Sequence, residues 1–201
     1  MKSVIFMVVF GVAGLSMAAE AVPAASAKTS EAALLAQSGR ECLVSAKWTE
    51  AAALFEKART LDPSSDESAF GLSAAYIGLK RFEEAVTLLE ALEKKVPEHP
   101  MVRNNLAWAL LKARGAKDGT AERAIKLARS ALLDVPSDPS IWNTLGEAYY
   151  MAGKFDKALG AARSGLRLSE LAGEKNSPCR DLVDRCRKAG GKTPDEGGGN
   201  Q

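Results

Sequence analysis

The one histidine, His99, stands in Pro-Glu-His-Pro just ahead of Pro100. General-base work would need it within hydrogen-bond reach of a nucleophile held in fixed geometry. The neighbouring sequence offers none, so His99 reads as a turn or helix-cap residue. The three cysteines, Cys42, Cys179 and Cys186, are an odd set, which leaves at least one outside any intramolecular pair. Cys42 falls at a core position. Cys179 and Cys186 are seven residues apart. On one continuous helix that is about 10 Å of rise, beyond the roughly 7 Å that a disulfide tolerates between Cα atoms. A bridge requires the helix to begin after Cys179, which Pro178 allows. There is no C-x-x-C pair for thiol redox chemistry. The glycines form neither G-x-G-x-x-G nor a P-loop string, and the acids are scattered over polar helix faces. No catalytic, cofactor or metal site is expected, and the chain does not read as an enzyme.

Composition narrows the remaining classes. The 201 residues hold 46% hydrophobic and 26% charged side chains, a globular balance that fits one domain or one short repeat array plus tails. Net charge is +2, from 27 basic and 25 acidic residues. Nucleic-acid binding needs a basic excess to neutralise phosphates, so that class is set aside.

The ends read as non-domain segments. Lys2, an uncharged apolar stretch from Val4 to Leu15 and small residues up to Glu20 have the layout of a secretory signal peptide over 1–19. Cleavage is placed after Ala18 or Ala19, with Ala25-Ser26-Ala27 as a second site, so between 18 and 27. Val4 to Ala19 is 16 residues, short of the roughly 20 that span a bilayer. The expectation is export to a periplasm or the exterior, with no membrane insertion after cleavage. The alternative is an uncleaved N-terminal anchor that leaves the chain facing the exterior. Residues 20–30, rich in Ala, Ser and Pro, read as a linker, and 190–201 as a disordered tail.

Between these ends Ala, Leu, Glu, Lys and Arg dominate with no strand alternation, which predicts an all-α fold. The chain also repeats. Trp48-Thr49-Glu50-Ala51, Phe82-Glu83-Glu84-Ala85 and Phe155-Asp156-Lys157-Ala158 share one pattern. Ala51 to Ala85 is 34 residues, and Ala85 to Ala158 is 73, two periods plus five. Ala124 is the copy between, and the five extra residues fall around Gly115 to Gly119. Trp142-Asn143-Thr144-Leu145-Gly146-Glu147-Ala148-Tyr149 is the W-x2-L-G-x2-Y string of the tetratricopeptide repeat, which this sequence resembles. Four units follow: 32–65, 66–99, 100–138 with the five-residue insertion, and 139–172, together the array within 31–172. Repeat one departs most, with Ser38, Gly39 and Cys42 at the Leu, Gly and Tyr positions. Repeat three carries Leu110 for the Tyr. Small residues at the eighth position (Gly39, Ser73, Ala107, Gly146) and at Ala51, Ala85, Ala124 and Ala158 let paired helices approach. Ser64-Ser65-Asp66-Glu67 is a capping-box candidate, and Pro100 and Pro139 suit a first helical turn. Residues 173–189, with the amphipathic stretch Pro178 to Lys188, supply the capping helix that ends a solenoid.

The resemblance implies a helix-turn-helix solenoid that binds a protein or peptide segment along a concave groove lined by the first helix of each unit. Its groove positions map here to Arg40 in repeat one and to Phe70, Ile77 and small residues including Ala74 and Gly78 in repeat two. Repeat three contributes Met101, Asn104, Trp108, Leu111 and Lys112, and repeat four Ser140, Asn143, Glu147, Tyr150 and Met151. Seven aromatics (Trp48, Phe55, Tyr76, Phe82, Trp142, Tyr149, Phe155) occupy core positions. Phe70, Trp108 and Tyr150 remain for contact. Asn104 and Asn143 share one position in successive repeats and suit a peptide backbone. The family's clamp for a terminal carboxylate needs several cations, and only Arg40 and Lys112 map to this face, opposed by Glu147. An apolar helix or extended peptide fits better. The alternative is a self-associating component of an envelope assembly, hence a homo-oligomer.

Overall fold

The computed structural model describes residues 24–115 and 117–190. Among them are nine α-helices and no strand. The helices are α1 Ala24–Val44, α2 Trp48–Leu61, α3 Asp66–Gly78, α4 Phe82–Lys95, α5 Pro100–Arg114, α6 Thr120–Asp134, α7 Pro139–Met151, α8 Phe155–Leu171 and α9 Pro178–Lys188. A short 3-10 turn, Lys117–Gly119, takes up the insertion ahead of α6. The expected signal segment lies outside the described residues, as does the tail beyond Gly190. Of the expected linker, 24–30 is helical because α1 begins at Ala24, and 20–23 lies outside the described residues. Ala, Ser, Lys and Glu extend a helix at little cost, and no breaker interrupts them. No helix among the described residues is long and apolar enough to cross a membrane.

Each repeat is built by local signals. The turn between its two helices is the same three times. Ala46, Lys80 and Gly153 occupy one repeat position, all with positive φ (54°, 61° and 70°). The residue after each returns its N–H to the last turn of the helix: Lys47 to the Cys42 carbonyl, Arg81 to Tyr76, Lys154 to Tyr149, at 2.8, 2.8 and 2.9 Å. That is a Schellman closure, for which glycine is the natural residue. Side chains cap the starts of α3, α5, α7 and α9, while α2, α4, α6 and α8 have no side-chain cap. His99 caps α5, its Nδ1 accepting from the Val102 N–H, with Pro100 behind it. Asp138 caps α7 and Ser177 caps α9, each again followed by proline. At α3 the cap is Ser65, accepting from the Ser68 N–H at 3.1 Å. The expected Ser64–Glu67 box does not form, because the helix starts one residue later and places Ser68 where the reciprocal Glu would stand.

Packing is sequential, each helix lying against the next. In addition the first helices touch across repeats, α1 with α3, α3 with α5, α5 with α7, and α7 with α9. No comparable contact joins the second helices to one another among the described residues. First helices closer together than second helices means the array curves with its first helices inside. Ala51, Ala85, Ala124 and Ala158 are fully buried where paired helices cross, as their small size requires. One continuous core runs from α1 to α8, and a smaller one joins α8 to α9 through Leu159, Leu182, Val183 and Cys186. Because α9 is unbroken from Pro178, Cys179 and Cys186 sit two turns apart on it, and all three cysteines are free.

Candidate protein-binding groove

The inner surface owes its chemistry to what the 34-residue period stacks on it. A recess of about 440 Å³ opens between α3, α5 and α7. Ala74, Ile77 and Gly78 line it from α3, Met101, Asn104, Asn105 and Trp108 from α5, and Ser140, Asn143 and Thr144 from α7. Eight of the expected groove positions therefore come together: Ala74, Ile77, Gly78, Met101, Asn104, Trp108, Ser140 and Asn143.

The recess contains one residue that the sequence placed elsewhere. Trp48, the first residue of α2 and expected in the core, is half-buried and lines it too. Gly78 is the reason. A Cβ built on Gly78 would lie 2.3 Å from Trp48 Cδ2, so only glycine lets the indole pass over the end of α3 and reach the inner surface. The sequence placed Gly78 on the inner face but carried no sign that it makes room for Trp48.

The two asparagines are the unusual members. Asn104 is 5% exposed and Asn143 7% exposed, and neither side-chain oxygen accepts a hydrogen bond from the protein. The Asn104 amide nitrogen donates to Asn105 Oδ1 at 3.4 Å, which turns its oxygen the other way. Buried carbonyl oxygens are nearly always paired, and leaving one unpaired costs about 1–3 kcal/mol. Lys112 stands at the margin with its ammonium 4.2 Å from the centre of the Trp108 ring. Thr144 directs its hydroxyl to the Ser140 carbonyl at 3.0 Å. No ionisable side chain lines the recess.

The other expected groove residues are elsewhere, for identifiable reasons. Leu111 is 1% exposed and belongs to the core, because a helix places that position on the edge between the buried and inner faces. Glu147 and Tyr150 are covered by the capping helix. Arg185 of α9 donates to both Glu147 carboxylate oxygens at 2.7 and 3.0 Å and stacks 4.5 Å above the Tyr150 ring. Hydrogen bonding to Glu147 raises the Arg185 pKa above its ordinary value. Met151 is half-buried against the core. Phe70 packs against the His99 ring, 5.8 Å between centroids, outside the recess. Arg40 is exposed and ion-pairs with Glu67.

One further polar feature had no sequence signal. Arg103 occupies a core position of repeat three that carries Trp142 in repeat four. Its side chain is 10% exposed and bridges Glu98 Oε2 at 2.7 Å and Asp134 Oδ2 at 3.1 Å. It ties the end of repeat two to the end of repeat three. Among the described residues no cluster of three His, Cys, Asp or Glu side chains converges.

Two family models, both described as tetratricopeptide repeat, match residues 45–114 and 116–172. Among solved structures, a thermophilic TPR protein of Thermus thermophilus superposes with a TM-score of 0.66 at 20% identity, over 80% of this chain and 83% of that one. MamA from Desulfovibrio magneticus RS-1 does so with a TM-score of 0.58 at 17% identity, over 80% and 95%. MamA AMB-1 gives 0.57 at 18% identity, over 80% and 97%. Identities this low show a shared fold. No curated protein matches the sequence.

Proposed function

The chain belongs to the tetratricopeptide-repeat family, a protein-interaction scaffold, and on that footing we propose that it holds a protein or peptide partner in the recess between α3, α5 and α7. The observation that carries this reading is the recess itself, where Trp48, Ile77, Met101 and Trp108 bring apolar surface to one opening on the inner face. Contiguous accessible apolar surface of this kind marks a contact site. The reading includes export, with the partner in the cell envelope, on the strength of the Lys2-to-Ala19 pattern. The chain acts without catalysis, as a binding surface.

The test is capture from an envelope extract on the full chain and on its Trp108→Ala variant, with circular dichroism showing equal helicity. A partner retained by the first and lost by the second supports the recess. Equal retention moves the site to another face. Fractionation of cells expressing the chain checks export, which requires an N-terminus shortened by roughly 18–27 residues as a signal-peptide length predicts.

Self-association is the second reading, and it has its own observation. Leu34 and Val44 of α1 are 63% and 90% exposed at the end of the array that no helix caps among the described residues. Sedimentation at increasing concentration distinguishes the two, since end-on pairing yields oligomers that Leu34→Glu, Val44→Glu dissolves.

A further inference from the structure

We infer that the outer face of α6 and α8 docks on an anionic lipid bilayer without spanning it, with Lys126, Arg129 and Arg167 against headgroup phosphates and Leu133 entering the interface. This stands apart from the recess, which lies on the first helices.

Charge is unevenly shared along the array. Residues 24–99 carry 9 basic and 12 acidic side chains, a net −3, and residues 100–190 carry 16 and 10, a net +6. The repeat register shows where the excess falls. One position of the second helices reads Glu56, Glu90, Arg129 and Arg163 in successive repeats. The two carboxylates are held within the chain, Glu56 by the Tyr76 hydroxyl at 2.9 Å and Glu90 by Arg123 at 2.7 Å. The position one turn further on is Leu133 in α6 and Arg167 in α8, and Lys126 lies one turn before Arg129. These side chains therefore share one face.

The cations on that face are available. Lys126, Arg129 and Arg167 are exposed and make no ion pair among the described residues. Carboxylates of the same two helices are engaged by other groups: Glu122 with Lys154, Asp134 with Arg103 and Glu170 with Arg180. The face thus attracts an anion from outside the chain.

Leu133 decides which anion. It is 85% exposed, and with Ile125, Lys126, Arg129 and Ser130 it lines a shallow hollow of about 320 Å³. A purely acidic segment would neutralise the cations and leave the leucine in water. A bilayer interface satisfies both, because Lys and Arg reach headgroup phosphates along their apolar stems while the leucine enters below. A second copy fits less well, since Glu67, Glu83, Glu90 and Glu93 of the acidic half already pair within the chain. Docked by its second helices, the array turns the recess away from the bilayer and leaves it open to a partner.

The experiment sediments the full chain with vesicles of phosphatidylcholine alone and with vesicles containing about one-third phosphatidylglycerol. The difference between the two is read, so any attachment through residues 1–23 that ignores headgroup charge cancels. The expected result is binding to the anionic vesicles that disappears between about 0.1 M and about 0.5 M salt. Lys126→Gln, Arg129→Gln weakens it about thirty-fold, or five-fold for each cation removed. Leu133→Ser weakens it about three-fold or more. Lys57→Gln, Lys94→Gln, the same charge loss on exposed positions of α2 and α4, changes it less than about two-fold. Circular dichroism checks that each variant keeps its helicity, and the salt and headgroup arms on the unaltered chain need no variant. Equal binding to both kinds of vesicle, or equal weakening by the two glutamine pairs, overturns the inference. Tighter binding to soluble polyglutamate, with Leu133→Ser without effect, also overturns it and makes an acidic protein the partner of this face. The capture test of the recess reads a different face, so either reading can fail alone.

Discussion

Single residues carry most of what is specific to this chain. Asn104 holds a buried oxygen that the protein does not pair, and Leu has nearly its shape without its polarity. Asn104→Leu should therefore stabilise the fold by about 1 kcal/mol, the desolvation that the unpaired oxygen costs. Urea denaturation checks this, and a variant that loses stability would show that the Asn105 contact matters more than the orphan. Lys80 offers the opposite kind of test. Its φ of 61° costs a side-chain-bearing residue roughly 1–2 kcal/mol, and glycine returns part of the gain as unfolded-state entropy. Lys80→Gly should stabilise by about 0.5–1 kcal/mol, whereas Gly153→Ala, at the equivalent position, should destabilise. The asparagines were legible in the sequence because a shared repeat position is a fact of spacing. Trp48 was not, because its reach depends on the absence of a Cβ two helices' length away in the chain, at Gly78. Leu111 was misplaced because helical periodicity assigns a face only to within a residue or so, and that residue lies on the boundary.

Among the elements, α9 shows how a capping helix edits a binding surface. The sequence located it from an apolar stripe of Leu182, Val183 and Cys186, and the same three residues are buried. What the stripe does not tell is which groups the polar side of α9 meets. Arg185 lands on Glu147 and Tyr150 and withdraws both from the inner face. Leu182 is fully buried between α7 and α8, within reach of the Gly146 position. Leu182→Ala should cost about 2–5 kcal/mol, as cavity-forming changes do, and should expose Tyr150 to solvent, which its fluorescence reports. The thiols of the same helix set a pH limit. Burial raises the pKa of Cys179 and of Cys186 above the ordinary value of 9.0. A raised folded pKa favours the protonated thiol, so this contribution is complete below about pH 9 and is lost as pH rises through the folded values. The melting temperature should fall above pH 9, and Cys186→Ala should fall less steeply over that range even though it starts lower.

At the scale of the whole molecule, the array was the most legible feature, because a period of 34 residues is written many times and each copy constrains the next. Yet the copies are unequal, and that inequality predicts how the protein comes apart. In a repeat array, stability is a sum of unit terms and nearest-neighbour interfaces. The C-terminal end has α9 to cover it. The N-terminal end has no such helix among the described residues, and α1 leaves Leu34 and Val44 in solvent while burying mainly Ala32, Ala36 and Gly39. By contrast α5 buries eight residues, including Leu106, Leu110 and Leu111. Repeat one should therefore open first, and a ring packed between α1 and α3 contributes to its coupling with the rest. Phe55 of α2 is fully buried, and Cβ atoms built on Gly39 of α1 and Gly71 of α3 would both fall within 3 Å of it. Phe55→Ala removes a side chain whose loss costs about 3–5 kcal/mol, but the loss is limited to what repeat one contributes once that unit has opened. Hydrogen exchange should show α1 and α2 of the variant exchanging nearly as fast as an unfolded chain, with α5 to α8 still protected. The same measurement on the unaltered chain should rank protection with α1 lowest. Uniform loss of protection across all repeats would instead mean that the array unfolds as one cooperative unit, with inter-repeat interfaces stronger than the differences between its ends.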